Sequence, residues 1–296
     1  MVYLTGDLDR STLERAVRTG SLQRLRRGAY APVVKHPDRY LRERIRARQQ
    51  MHAVARQLKG PLWFSHASAA LLHDLPLRAA PGRTHLIGSV HSSARADPTV
   101  VRHRATLGAA DTATIDTLPV TSLARTALDC AMTLPDLEAL TVLDGALATP
   151  GIRAALTGRL ENLRGVSGSA KARWRLDRAD GRAESAGETF TRFVLLRHGL
   201  RVPDLQIEVP TRRGNYRIDM GWPELKIGIE FDGKVKYTRL ADGDPAEVVV
   251  KEKRRQADLE REGWVIIRVV WAELFQPAEF LAEVHWHLSE RSRVSA

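Results

Sequence analysis

Two short acidic stretches, Arg217-Ile218-Asp219-Met220 and Ile229-Glu230-Phe231-Asp232-Gly233-Lys234, constrain this chain more than anything else in it. Both alternate with the two-residue period of a strand. Tyr216, Ile218 and Met220 fall on one face of the first, Arg217 and Asp219 on the other. Ile227, Ile229 and Phe231 share a face of the second, with Glu230 and Asp232 opposite. If the two strands pair, Asp219, Glu230 and Asp232 crowd one side of a sheet. Two carboxylates about 5 Å apart repel by roughly 3 kcal/mol at an effective dielectric near 20. A fold that keeps such a cluster needs a cation in it, and carboxylate oxygens suit a hard divalent ion, Mg²⁺ or Mn²⁺. The plainer alternative is a salt-bridged sheet face, with Arg217 or Arg268 as partner. Against it, aspartate is depleted in strands, yet three acids converge from two of them.

The surrounding pattern predicts helix, strand, strand, strand, helix, strand, helix over residues 181–296. A helix from Ser185 to His198 stops at Gly199, and a strand follows at Leu205–Val209. Arg212-Arg213-Gly214-Asn215 turns the chain into the acidic strands. Ala246 to Glu262 is a charged helix ending at Gly263, and Trp264 to Trp271 is apolar apart from Arg268, as in a strand covered on both faces. Glu184 and Glu188 sit four apart at the start of the first helix, hence on one face of it. Two solvated glutamates favoured by the helix dipole would look the same.

The order Ala183-Glu184-Ser185-Ala186-Gly187-Glu188, Asp219, Glu230-Phe231-Asp232-Gly233-Lys234, Lys251-Glu252-Lys253-Arg254-Arg255, then Leu259 through Gly263-Trp264 to Arg268, resembles the very-short-patch-repair-endonuclease-like domains of the PD-(D/E)XK nuclease superfamily. The resemblance covers about residues 183–290. It implies metal ligation by Asp219, Glu230 and Asp232, help from Glu188, and a catalytic lysine. It departs from the pattern at one place: the usual Lys two residues after the Glu is Asp232 here. Gly20-Ser21-Leu22, Arg26-Arg27-Gly28-Ala29-Tyr30 and Val120-Thr121-Ser122 resemble the AbiEi-type antitoxin family, which has a winged-helix head and a helical body.

Phosphodiester hydrolysis needs an attacking hydroxide, an electrophile for the phosphoryl oxygen, and help for the leaving oxygen. A carboxylate-held metal supplies the first two. A lysine near the attacking water adds positive charge and relays a proton. Lys234 follows Asp232 by two and points to the same side of an extended chain; Lys253 on the next helix is the other candidate. Plain phosphate contact explains both equally well. Lys251, Lys253, Arg254 and Arg255 form the strongest basic run, and Arg26 and Arg27 form a second. A charge run is usually a solvated helix face, but beside an acidic cluster it suits holding DNA over a metal. Aromatics are few, which argues against a single-strand stacking platform.

Net charge is +11, and residues 1–60 carry 14 Lys and Arg against 5 Asp and Glu. A basic head points to a polyanion, nucleic acid before membrane. In it, Ser11 reads as the cap of a helix to about Arg18, with Glu14 closing a capping box. Strands at Leu22–Leu25 and Gly28–Ala31 flank the arginine pair. Helix, strand, basic turn and strand make the back half of a winged helix; its first helix has no counterpart here, so the head reads as partial. Residues 36–180 read as a mostly helical body, with strands near Thr84–Ile87 and Thr99–Arg104.

The single cysteine, Cys130, sits in an apolar run and excludes an internal disulfide or a cysteine zinc finger. Ten histidines are scattered; His66 with His73, and His285 with His287, lack carboxylate or Cys companions and read as structural. No hydrolase triad, phosphate loop or dinucleotide fingerprint is present. Neither a signal peptide nor a membrane-length apolar run occurs, which predicts a soluble cytoplasmic protein.

The expectation is thus an α+β, multi-domain chain. A partial winged-helix head at 1–35 and a mostly helical body at 36–180 precede a restriction-endonuclease-like α/β domain with a mixed sheet at 181–296. Its expected activity is Mg²⁺- or Mn²⁺-dependent DNA cleavage. The rival is a non-catalytic DNA-binding regulator or antitoxin with a cognate toxin as partner, kept in play by Asp232. A scaffold with neither activity is the third reading.

Overall fold

A carboxylate, not the serine, opens the first helix. After the two-residue strand β1 (Tyr3–Leu4), helix α1 spans Arg10–Arg18. Asp9 Oδ1 accepts the Thr12 N–H at 2.9 Å, and the Ser11 hydroxyl donates to the same oxygen at 2.7 Å. Asp9 wins the cap over Ser11 because its charge also meets the positive end of the helix dipole. Strands β2 (Leu22–Arg26) and β3 (Ala29–Pro32) form a hairpin, and the three strands make an antiparallel sheet in the order β1-β3-β2. Helix α2 (Arg39–Gln57), capped by Asp38, lays Ala53 against Val2, Ala29 and Ala31 of that sheet.

The computed structural model describes residues 1–88, 97–233 and 245–294. They fall into two units, Met1–Ala179 and Asp180–Ala296. Within the first, β4 (Leu62–Phe64), α3 (His66–Leu72), β5 (Thr84–Gly88), β6 (Val100–His103), β7 (Thr112–Ile115) and β8 (Leu118–Thr121) build a mixed five-stranded sheet, β6-β5-β4-β8-β7. Only β5 and β6 were expected. The other three strands have three or four residues each, too few for a two-residue period to declare itself. Four helices complete the unit: α4 (Leu123–Thr133), α5 (Asp136–Leu147), α6 (Ile152–Glu161) and α7 (Ser169–Arg178). The single helical block expected at 122–148 divides at Pro135, which lacks the N–H that would continue it.

In the second unit α8 (Ala186–Arg197) precedes β9 (Asp204–Thr211), β10 (Gly214–Trp222) and β11 (Ile227–Phe231). Helix α9 (Pro245–Arg261), β12 (Val265–Val269), α10 (Trp271–Phe275) and α11 (Ala278–Val294) follow. The sheet runs β12-β11-β10-β9. Its first three strands in chain order pair antiparallel, while β11 and β12 are parallel, as a helical crossover requires. Ile207, Val209 and Ile218 pack against Leu259 of α9 and against Trp264. Phe190 of α8 lies edge-on to Phe275 at 5.2 Å, and Phe231 edge-on to Trp271 at 4.9 Å. With three sheets, two of them mixed, and helices in both units, the chain is of the α+β class. Among the described residues no helix is long and apolar enough to cross a membrane.

Candidate functional site

The ladder between β10 and β11 pairs Trp222 with Ile227, Gly221 with Gly228 and Met220 with Ile229. The next rung is made by a side chain: the Phe231 N–H donates to Asp219 Oδ2 at 2.8 Å. The strand on the other side is distorted at the same level. Gln206 of β9, between the pairs Ile218↔Ile207 and Met220↔Leu205, takes the left-handed φ of +54°. Its Nε2 donates to Glu188 Oε2 at 2.9 Å, and the Glu184 N–H donates to the same oxygen at 2.9 Å. Glu188 is buried on the first turn of α8. Burial pushes its pKa up, and the nearby Asp219 and Glu184 charges push the same way, against bonds from the Glu184 N–H and Ser185.

Glu230, also buried, is held by a guanidinium. Arg255 Nη1 donates to Glu230 Oε2 at 2.9 Å, Nη2 donates to Oε1, and Nη2 also reaches the Arg217 carbonyl at 3.0 Å. Arg268, the cross-strand neighbour of Glu230, stands 3.8 Å away. The bond to Glu230 raises the Arg255 pKa above its ordinary value, with burial opposing; Glu252 and Asp219 add to the rise. Asp219 therefore feels Glu188 on one hand and the Arg255–Glu230 pair on the other. Asp232 follows the strand, its N–H on the Val269 carbonyl at 2.9 Å. Lys234 lies outside the described residues.

The three acids expected to converge do not close on one point: among the described residues, Asp219, Glu230 and Asp232 form no set of oxygens all within 4.8 Å of one another. The cation that pairs with Glu230 and also feels the Asp219 charge is Arg255. The sequence hid this because α9 lies far along the chain from the strands. A hard divalent ion is held by as few as one or two carboxylates with water and phosphate oxygens. The donors Asp219, Glu188 and Glu230 fit such an ion chemically, once Glu230 exchanges its guanidinium.

Beside this group lies a cavity of about 420 Å³ lined by Arg213, Tyr216, Lys251, Glu252, Arg254 and Arg255. Lys251, Lys253 and Arg254 are exposed on α9. Arg255, expected to meet phosphate with them, instead turns to Glu230 and passes over the Tyr216 ring, 5.8 Å from its centre. Arg213, in the turn after β9, and Tyr216, on β10, line the cavity although the sequence marked neither as a site residue. In the N-terminal unit Arg26 is paired with Asp97 and its side chain is only 11% exposed, whereas Arg27 is exposed.

The histidines add a group that the sequence did not show. His73 is structural, its Nε2 at 2.7 Å from the Thr121 carbonyl oxygen. His66 instead meets His85 of β5 and His103 of β6, with one nitrogen from each ring all within 4.8 Å. His85 Nδ1 and His103 Nε2 are 2.9 Å apart, and the His66 and His103 rings stack with centres 3.6 Å apart. Strand register joins them from distant positions, so no local spacing marks them. Burial, then the neighbouring rings, pushes His66 down to about 3 and His85 to about 4.

Acid sensitivity follows. Below the unfolded-state pKa of 6.5 the unfolded chain binds protons that the folded rings refuse, so stability falls with pH until about 3. His66 alone should contribute a loss of about 2 kcal/mol between pH 6.5 and 5, with His85 adding to it. Urea melts with chelator present at those two pH values measure this. Equal midpoints would show that the rings titrate normally.

No family model matches this chain. Two curated proteins of Mycobacterium tuberculosis are similar to part of it: uncharacterized protein MT2308 of strain CDC 1551 / Oshkosh and uncharacterized protein Rv2248 of strain ATCC 25618 / H37Rv. Each is 33% identical over 178 residues, 59% of this chain and 63% of its own length. The chain thus spans less than two thirds of these relatives. Among solved structures, the crystal structure of RV2827C protein from Mycobacterium tuberculosis covers 71% of this chain and 83% of its own, at 20% identity and a TM-score of 0.36.

Proposed function

We propose that residues 180–296 form a PD-(D/E)XK-type nuclease domain that hydrolyses phosphodiester bonds in DNA with Mg²⁺ or Mn²⁺. One observation carries the reading. At a single break in the sheet, Asp219 leaves the ladder pattern beside the buried Glu188 and the Arg255–Glu230 pair. Buried carboxylates cost several kcal/mol unless paired, so a sheet that gathers them suggests a use for their charge. Asp219 and Glu230, with Glu188 or Asp232 assisting, would hold the ion, which polarises the phosphate and acidifies its water. Burial pushes the Glu188 carboxyl up, which favours its protonated form relative to an ordinary glutamate. The basic cavity of Arg213, Lys251 and Arg254 would hold the phosphate backbone, and Lys253 or Lys234 would stand as the charge helper. We read residues 1–35 as a winged-helix-like head in which Arg27 is among the exposed cations.

The rival reading, a DNA-binding regulator of AbiEi type without catalysis, has its own support. Arg255 already neutralises Glu230, and Asp232 occupies the usual lysine position. Incubating plasmid and linear DNA with the full chain, with Mg²⁺ or Mn²⁺ and a chelator control, separates the two. Asp219→Asn should abolish cleavage, a loss on the order of 10³-fold if the metal contributes several kcal/mol. DNA affinity should stay equal or tighten, since a negative charge near the phosphates is gone. Lys253→Ala with Arg254→Ala should weaken binding to every sequence and flatten its salt dependence. Binding without cleavage in any divalent metal would establish the regulator; neither binding nor cleavage would leave the scaffold.

A further inference from the structure

We propose that His66, His85 and His103 form a binding site for a transition-metal ion of the zinc class, in the N-terminal unit and independent of the acidic site. Three imidazoles with no carboxylate are a donor set for Zn²⁺, Co²⁺, Ni²⁺ or Cu²⁺ and a poor one for Mg²⁺. Tetrahedral zinc with Zn–N bonds of about 2.0–2.1 Å needs nitrogens roughly 3.3 Å apart. His85 Nδ1 and His103 Nε2 are already 2.9 Å apart, and all three rings offer a nitrogen within 4.8 Å. Closing on an ion requires only that the first pair open slightly and the stacked His66 ring tilt.

Three further features favour a ligand over a merely packed cluster. Ser65 Oγ lies 2.9 Å from His66 Nδ1, and Ser65 is fully buried. A hydroxyl accepting there fixes the proton on Nδ1 and leaves the Nε2 lone pair for a metal, the usual orienting arrangement around metal-bound histidine. His66 has φ +51° at the first position of α3. A non-glycine residue there costs about 1–2 kcal/mol and persists where the surroundings impose it. Third, His85 and His103 are only half-buried, which gives an ion access and leaves room for water as a fourth ligand. In the metal-free cluster one hydrogen lies between His85 Nδ1 and His103 Nε2. On ligation it moves to the other nitrogen of the same ring, so no proton need be lost at neutral pH.

The test uses the full chain stripped with chelator and titrated with Zn²⁺ by calorimetry. Wild type should bind one ion, with a rise in melting temperature. His85→Gln and His103→Gln, both at partly exposed positions, should each weaken that binding at least 100-fold while retaining the wild-type circular dichroism. Glu230→Gln should leave it unchanged, which separates this site from the acidic one. Should a histidine variant fail to fold, Co²⁺ added to wild type provides a second readout, namely the intense visible bands of a four-coordinate nitrogen-ligated ion. Absence of stoichiometric binding, a histidine variant that folds and still binds at wild-type strength, or a six-coordinate Co²⁺ spectrum would each overturn the site.

Discussion

Arg255→Ala should lower the stability of the 180–296 unit by about 3 kcal/mol, because it leaves the buried Glu230 carboxylate without its guanidinium. Removing one partner of a buried pair costs more than the pair itself is worth. The Glu230→Gln, Arg255→Ala double variant should therefore recover more than half of the loss. The same substitution bears on the metal. With Arg255 gone, the repulsion between Asp219 and Glu230 is less relieved, so millimolar Mg²⁺ or Mn²⁺ should stabilise Arg255→Ala more than wild type. Chemical denaturation of wild type, Arg255→Ala and the double variant, with and without the ion, measures all of this. A variant within 0.5 kcal/mol of wild type would mean that Glu230 finds water or Arg268 instead. A destabilised variant indifferent to the ion would count against metal binding at these acids.

Gly187→Ala should be nearly as costly, at about 2–3 kcal/mol. An added Cβ would stand 2.0 Å from Phe231 Cε1 and 2.2 Å from Cδ1. The ring cannot swing clear, because Trp271 packs edge-on to it at 4.9 Å. Either α8 lifts from β11 or the ring leaves its place, and both outcomes move Glu188, the next residue, relative to Asp219. Gly199→Ala is the control. Its φ is +73°, but nothing lies within 4 Å of the new carbon, so only the backbone term of roughly 1 kcal/mol applies. Thermal melts of the two variants should differ clearly; equal losses would mean that close packing against Phe231 does not matter.

The C-terminal unit is the more legible of the two from sequence, and the reason is length. The strands bearing Ile207, Ile218 and Ile267 run five to nine residues, enough for a period to show, and glycines or charged turns bound them. In the N-terminal unit Leu62–Phe64 and Leu118–Thr121 are strands only by virtue of their neighbours. The acids themselves stand out in the sequence as a cluster. What neutralises them does not, since Arg255 reads as one more cation in Lys251–Arg255 until the helix is placed over the sheet. Nor was the histidine cluster readable, because 66, 85 and 103 come from a helix start and two strands whose pairing no local motif encodes. Patterns along the chain report faces; contacts between distant segments are decided by register.

The side-chain rung from Asp219 to the Phe231 amide has a consequence for how this protein would evolve. Aspartate at that position closes the sheet whether or not any ion or substrate is present, and asparagine would serve as well. A lineage that gave up catalysis would still be selected to retain one of the two there. Glu230, whose described side-chain partners are Arg255 and Arg268, is under a different constraint and could drift together with the former. Descendants that hold position 219 while 230 and 255 vary together would carry the mark of a binding module. Descendants that hold 188, 219 and 230 all together would carry the mark of an enzyme.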